Sequence, residues 1–359
     1  MQRIPLIILG AGNVGRALIS QLLAASSLHA RRDRLIFSVV AWCDKSGAVI
    51  DEDGLEPEVL RDIAEAMVTG RSLAGFPQGY RQDDLAAVVD VAGTDGCVVV
   101  DVTASDATAP AIDLALRRGY GAVTANKVPL TGEQERFDRW VASRRFRYES
   151  TVGSAVPVIE TARALRRAAD RVDVVQGALS GTLGFLCTGL QAGEPLSALV
   201  QEAMRRGYTE PDPRVDLSGQ DVARKALILA RTLDWKLELR DVAVTSMVPP
   251  DLTDLSLADF LVRLPEVDAD FADRVTHAAA AGCTLRYIAE LQDGRATVGL
   301  QPVPSDSALG RLQGNDNLVA FHTRYYPDAP LVLQGRGAGV DAAAAGVHAD
   351  LVAVANPGS

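Results

Sequence analysis

Residues 4–9, "IPLIIL", are apolar without a break, the pattern of a strand buried on both faces, and glycines follow at once. The next stretch, "VGRALISQLLAA", spaces its apolar residues at helical intervals. The two rhythms then repeat. "LIFSVVAWCD", "CVVVDVTA" and "GAVTANK" read as strands, and "APAIDLALRRG" and "GEQERFDRWVASRR" as helices. This alternation predicts an α/β domain over residues 1–150 built on a doubly wound parallel sheet.

After about residue 150 the rhythm changes. A helix in "VPVIETARALRRAA" and a strand in "DVVQGAL" precede helices near 196–206 and 220–233. "TLRYIAEL" and "RATVGLQPV" flank "QDG" as a hairpin, and "LVAFHTRYY" and "PLVLQG" supply further strands. Residues 151–325 are therefore expected to form a second α+β domain with a mainly antiparallel sheet. The Gly-rich turn and Ala-rich helix of residues 326–359 are expected to return to the first domain. No repeat of 20–50 residues interrupts this plan.

With 359 residues, 48% of them hydrophobic, the chain has enough apolar side chains for two cores. Its net charge of −10 gives a phosphate backbone no general attraction, so nucleic acid is not an expected partner. Cys43, Cys97, Cys187 and Cys283 lie far apart, which suits isolated core thiols in a reducing compartment rather than a zinc site or a disulfide framework. The N-terminal apolar run is too short for a membrane span, and no signal-peptide cleavage pattern follows it. A cytoplasmic location, away from membranes, is the expectation.

"GAGNVG" places Gly10, Gly12 and Gly15 in GxGxxG spacing between a strand and a helix, the context of a Rossmann-type dinucleotide site. Asn13 and Val14 complete that cofactor-binding turn, with the helix N-terminus toward the pyrophosphate. Asp44, at the end of the second strand, suits a ribose 2′-hydroxyl and favours NAD over NADP, although Lys45 beside it works the other way. The other reading of Asp44 is a surface turn acid in "CDKSG". Thr103 and Lys127 fall at carboxyl ends of parallel strands, where open α/β sheets bind ligands.

The stretch "GYTEPDPRVDLSGQDVARK" sets Glu210, Asp212, Asp216 and Asp221 ahead of Lys225. Ser218 and Asp221 have the spacing of a capping box for the next helix. Asp221 and Lys225 are four apart, as a cleft edge or a surface ion pair. Several carboxylates near one lysine suit a small zwitterionic ligand: the acids take its ammonium and the lysine its oxygen. "SGTLG", Ser180 to Gly184, offers backbone N–H groups and the Thr182 hydroxyl to a carboxylate, or serves only as a helix-starting turn.

This stretch resembles the homoserine dehydrogenase signature, and "GAGNVG", "VTANK", "YESTVGSAVPVIE", "LSGTLGF", "GNDNLVAFHT" and "LQGRGAG" stand in that family's order. The likeness is to the monofunctional form, without kinase or ACT domains. It implies reversible reduction of L-aspartate 4-semialdehyde to L-homoserine with NAD(P)H, on the route to threonine and methionine. Lys225 is then the proton donor to the carbonyl oxygen, with Lys127 assisting beside the nicotinamide. Glu210, Asp216 and Asp221 hold the substrate, with Gly181, Thr182 and Tyr208; Gly207 and Gly339 join the cofactor contacts. Glu149, Val152, Ser154 and Val156 match a segment whose oxygens bind a monovalent cation such as Na⁺. A homodimer through the second domain's sheet is also implied. Ala155 and Ala343 depart from the glycine and threonine expected there, and Ala155 is unfavourable if its site requires positive φ.

Two alternatives remain. One is a non-catalytic nucleotide sensor or scaffold of the same fold. The other is a dehydrogenase that oxidises aspartate semialdehyde to an acyl phosphate, which needs a nucleophilic cysteine.

Overall fold

The strand Gln2–Leu9 (β1) sends Ile4, Leu6 and Ile8 to one face and Ile7 and Leu9 to the other, and all five are buried. The first three pack with Leu18 and Leu22 of the helix Asn13–Arg32 and with Leu351 and Val354 of the helix Val340–Ala355. Ile7 and Leu9 meet Val88 of the helix Leu85–Ala92 and Ala111 and Ala115 of the helix Ala109–Arg117. Two covered faces explain the unbroken apolar run.

The computed structural model describes residues 1–356; residues 357–359, the end of the expected 326–359 segment, lie outside the described residues. The chain divides into two units, Met1–Ala155 with the chain from Gly339 onward, and Val156–Ala338. In the first, β1 is joined by Leu35–Asp44 (β2), Gly47–Ile50 (β3), Gly79–Tyr80 (β4), Val98–Asp101 (β5), Gly121–Thr124 (β6) and Phe146–Arg147 (β7), in the order β4-β3-β2-β1-β5-β6-β7. β2, β1, β5, β6 and β7 run parallel. The chain leaves β1 toward β2 and later returns to its other side as β5, so the strand order reverses between β1 and β5. Such a reversal opens a crevice at the carboxyl ends of the strands.

β3 and β4 add an antiparallel edge that the strand–helix alternation did not foretell. Gly47 makes it possible. Its φ is 147°, and a Cβ there would stand 2.6 Å from the Tyr80 carbonyl oxygen.

The second unit holds Val172–Ala178 (β8), Val242–Val244 (β9), Cys283–Gln292 (β10), Arg295–Pro304 (β11), Asn317–Thr323 (β12) and Tyr326–Gly335 (β13), in the order β13-β12-β8-β10-β11-β9. Only β9 pairs in parallel. Asp293 and Gly294 both take positive φ, 51° and 73°, which lets a two-residue turn match the strand twist between β10 and β11. One boundary differs from expectation. The chain does not leave the second unit at 326, because β13 completes the ladder of β12; the return begins at Gly339. No helix of the described residues is long and apolar enough to cross a membrane.

Within the first unit, His29 and His348 place their Nε2 atoms 2.6 Å apart, and His29 Nδ1 lies 2.7 Å from Asp33 Oδ2. Burial, helped by His29, pushes the His348 imidazole down to about 4. The unfolded chain therefore takes up a proton near pH 6.5 that the folded chain resists until about pH 4. Stability is expected to be complete above that range and to fall as pH drops through it. Urea midpoints at pH 7.5 and 5 should differ more for the native chain than for His348→Gln; equal differences would clear the histidine pair of this role.

Candidate active site

The first unit builds its site from the turn after β1. Gly10 has φ 116° and donates its N–H to the Cys43 carbonyl at 2.7 Å. A Cβ on Gly15 would stand 2.2 Å from the Gly10 carbonyl oxygen, so the turn itself requires glycine at both positions. Gly12 is different. Its φ of −77° suits any residue, and a Cβ would meet no protein atom within 4 Å. Close approach of a ligand to the backbone is the remaining physical reason for glycine there. Asn13 and Val14 open the helix that follows, whose first turn carries no acid to repel an anion. These residues fit a dinucleotide.

Asp44 ends β2, and its Oδ1 accepts the Ser46 N–H at 2.7 Å and the Ser46 hydroxyl at 2.6 Å. It therefore closes the β2–β3 hairpin, whatever else it binds. Thr103 lies just beyond β5, donating through its N–H and its hydroxyl to Asp101 Oδ1 at 2.9 and 2.8 Å. β6 stops at Thr124, which leaves Lys127 on the loop rather than in the strand. The Asn126 side chain accepts the Val128 N–H at 3.0 Å and so bends the backbone around Lys127.

Asp101 and Asn126, both fully buried, were not read from the sequence. An acid inside the valine run "VVVDV" was the available signal. Burial pushes the Asp101 carboxyl up, against hydrogen bonds from Thr108, Thr103 and Asn126 that pull it down.

Glu149, Val152 and Ser154 follow β7 in the first unit, whereas Val156 begins the second. Glu149 is buried and donates its N–H to Asp350 Oδ2 at 2.7 Å. Gly346 of the C-terminal helix comes so close that a Cβ there would stand 2.1 Å from the Ser154 carbonyl oxygen. Ser154, not Ala155, has the positive φ, 56°, so alanine at 155 carries no left-handed strain. Among the described residues, no group of three or more His, Cys, Asp or Glu side chains is placed to hold a metal ion.

In the second unit, the helix Gln220–Thr232 is buried over most of its surface and carries Asp221 and Lys225 one turn apart. Lys225 is 12% exposed; its Nζ donates to the Leu179 carbonyl at 2.7 Å and lies 3.1 Å from Asp221 Oδ2. Leu179 immediately follows β8. Asp216 Oδ2 accepts the Glu210 N–H at 2.8 Å, and its Oδ1 lies 3.3 Å from Thr182 Oγ1. Burial pushes the Asp216 carboxyl up, with those contacts opposing. The Glu210 side chain is exposed. Tyr208 sets its ring edge-on to Phe185, 5.5 Å between centroids.

One expectation for this stretch is corrected. Ser218 is not the N-cap residue, although its Oγ accepts the Gln220 N–H at 3.3 Å. Gly219 is, at φ 75°, and the Ser218 hydroxyl turns back to the Val215 carbonyl at 2.7 Å. That left-handed residue redirects the chain, and Asp221 pairs with Lys225 instead of closing a capping box. Asp212 is taken by Arg214 at 2.6 Å. In "SGTLG" the Thr182 hydroxyl donates to the Tyr208 carbonyl at 2.5 Å, and Ser180 caps the helix Gly181–Gln191. Gly181 packs against Asn315, whose carbonyl oxygen would be 3.1 Å from a Cβ. Gly207 has φ 69° and ends the helix Leu196–Arg205, with the Tyr208 N–H reaching the Ala203 carbonyl at 2.9 Å, so its glycine has a structural reason. Gly339, φ 116°, begins the C-terminal helix of the first unit, and Ala343 sits in its first turn.

Burial pushes the thiols of Cys43, Cys97 and Cys187 up, the last two to about 12 and 11, the opposite of what a cysteine nucleophile requires. Cys283 is half-buried.

Residues 157–352 match the family model described as homoserine dehydrogenase, and residues 10–145 match the one described as homoserine dehydrogenase, NAD binding domain. The chain is 36% identical to a bifunctional aspartokinase/homoserine dehydrogenase of Haemophilus influenzae, over 97% of this chain and 42% of that protein. It spans about two fifths of the length of the bifunctional relatives it matches. It is 38% identical to a homoserine dehydrogenase of Emericella nidulans, over 72% of this chain and 75% of that one. The crystal structure of a putative homoserine dehydrogenase from Archaeoglobus fulgidus superposes with a TM-score of 0.77 at 28% identity, covering 99% of both chains.

Proposed function

The chain belongs to the homoserine dehydrogenase family, and from that premise we propose that it interconverts L-aspartate 4-semialdehyde and L-homoserine. The observation that carries this reading is the Lys225 ammonium, largely withdrawn from water and held between a carbonyl and a carboxylate. When bound, the nicotinamide supplies or accepts the hydride. Lys225 stabilises the oxygen of the aldehyde as charge develops and gives it a proton. For alcohol oxidation the same nitrogen must be neutral to take the proton, so oxidation is favoured by alkaline pH. Glu210, Asp216 and Asp221 supply negative charge for the substrate ammonium, and Gly181, Thr182 and Tyr208 belong to the same proposed substrate site, supported by Thr182 lying 3.3 Å from Asp216.

In the first unit, Gly10, Gly12 and Gly15, with Asn13 and Val14, support pyrophosphate binding, and Thr103 and Lys127 the nicotinamide half. Gly207 and Gly339 complete the proposed cofactor contacts. Asp44 supports a preference for NAD. The monovalent cation at Glu149, Val152, Ser154 and Val156, and the homodimer, belong to the same proposal. Sedimentation of the native chain tests the dimer.

Nicotinamide absorbance followed with L-homoserine and NAD⁺ or NADP⁺, at neutral and alkaline pH, tests the reading. Turnover rising with pH is expected. Tight cofactor binding without turnover would instead favour the non-catalytic sensor. Asp44→Ala should move the NAD-to-NADP ratio of kcat/KM toward NADP by about tenfold, the worth of hydrogen bonds to a charged group; an unchanged ratio would leave Asp44 as a hairpin residue alone.

A further inference from the structure

We propose that Asp101 is a positioning residue for the nicotinamide half of the cofactor, tying the loop that carries Thr103 to the loop that carries Lys127. This rests on the cofactor reading of the first unit. Asp101 is 0% exposed at the carboxyl end of β5. Its Oδ1 accepts the Thr103 N–H at 2.9 Å and the Thr103 hydroxyl at 2.8 Å. Its Oδ2 accepts the Thr108 hydroxyl at 2.6 Å and Asn126 Nδ2 at 2.9 Å. Asn126 Nδ2 also donates to the Ser105 carbonyl at 2.8 Å, and Asn126 Oδ1 takes the Val128 N–H. One carboxylate thus fixes residues in both loops, the one after β5 and the one after β6.

Among the described residues no cation is paired with Asp101, and a buried carboxylate so placed is a costly way to join two loops that neutral side chains would also join. What it adds is stiffness. Charge-assisted hydrogen bonds are roughly twice as strong as neutral ones, and an acceptor with every lone pair engaged allows the loops one arrangement. The location decides which half of the ligand depends on it. A dinucleotide straddles the crevice between β1 and β5, with Asp44 at the end of β2 on one side and the β5 and β6 loops on the other. The glycine turn that faces the pyrophosphate makes no hydrogen bond to Asp101 or Asn126.

Asp101→Asn keeps the shape but cannot satisfy the site, because its NH₂ meets donors on whichever side it is turned. Native and variant proteins are titrated with NADH and with ADP-ribose, which lacks the nicotinamide. Native protein should bind both. The variant should lose at least about tenfold in NADH affinity and keep ADP-ribose affinity within about twofold. Thr108→Val should shift binding in the same selective direction, and Thr108→Ser should restore it. An equal loss for both ligands means general damage and overturns the proposal, as does no loss for either. Should Asp101→Asn fail to fold, Thr108→Val, which deletes one of these hydrogen bonds, decides by the same comparison. Native protein that binds neither ligand and no NADPH overturns the cofactor reading and this proposal together. Native binding without homoserine turnover sinks the dehydrogenase reading alone, and the NADH-to-ADP-ribose comparison still judges Asp101.

Discussion

Lys225→Ala is expected to lower kcat for L-homoserine oxidation by roughly 10²- to 10⁴-fold, the range contributed by proton transfer through a positioned side chain. The expectation follows from how the ammonium is held. The Leu179 carbonyl at 2.7 Å and Asp221 at 3.1 Å fix the Nζ position, and 12% exposure limits competition from water. No other lysine or histidine lies among the residues from Gly207 to Lys225, so this stretch offers no second amine or imidazole to take its place. Lys225→Arg keeps the charge but stays protonated throughout the working pH range and presents a planar fork where the site holds a point charge, so it should fare little better. Cofactor affinity should stay native, since Lys225 is not among the proposed cofactor contacts. The pH profile gives the sharper test: native oxidation should rise with pH, because the alcohol proton must go to an uncharged nitrogen, and the alanine variant should lose that rise. A variant that retains kcat within tenfold and the same profile would remove Lys225 from the chemistry.

The two-rhythm layout of the fold was legible because each rhythm has one physical cause. The unbroken run of β1 reports two covered faces, and "QDG" reports a turn that needs two positive φ values. The β3–β4 edge was not legible: four residues, "GAVI", carry too short a pattern to separate from a loop, and the need for glycine at 47 shows only in the clash a Cβ would meet there. In the site, residue types were readable and their partners were not. Asp212, Asp216 and Asp221 look alike in sequence, yet one pairs with Arg214, one takes the Glu210 N–H, and one meets Lys225. Ser218 fits a capping box on spacing alone, but Gly219 next to it adopts a conformation that ends that possibility. Leu179 was invisible as a site residue because its contribution is a backbone carbonyl, which every residue has.

That left-handed glycine also supplies the second large effect. Gly219→Ala should destabilise the fold by about 3 kcal/mol and raise the KM for L-homoserine. A left-handed conformation costs an L residue about 1–2 kcal/mol. The new methyl would also stand 1.9 Å from the Tyr287 hydroxyl oxygen and 2.8 Å from the ring carbon that bears it. Tyr287 cannot yield easily, being 3% exposed with its hydroxyl donating to the Thr245 carbonyl at 2.9 Å. Relief must then come from the chain around residue 219, which joins Asp216 to the start of the helix bearing Asp221 and Lys225. Urea unfolding gives the stability, and homoserine kinetics on folded protein give the displacement. Tyr287→Phe separates the two causes: in the Gly219→Ala background it deletes the nearest clashing atom and should return part of the lost stability, while the backbone cost stays. Alone it should cost about 1 kcal/mol for the lost hydrogen bond. If the two substitutions simply add, the methyl and the hydroxyl do not meet, and the strain at Gly219 is a matter of φ alone.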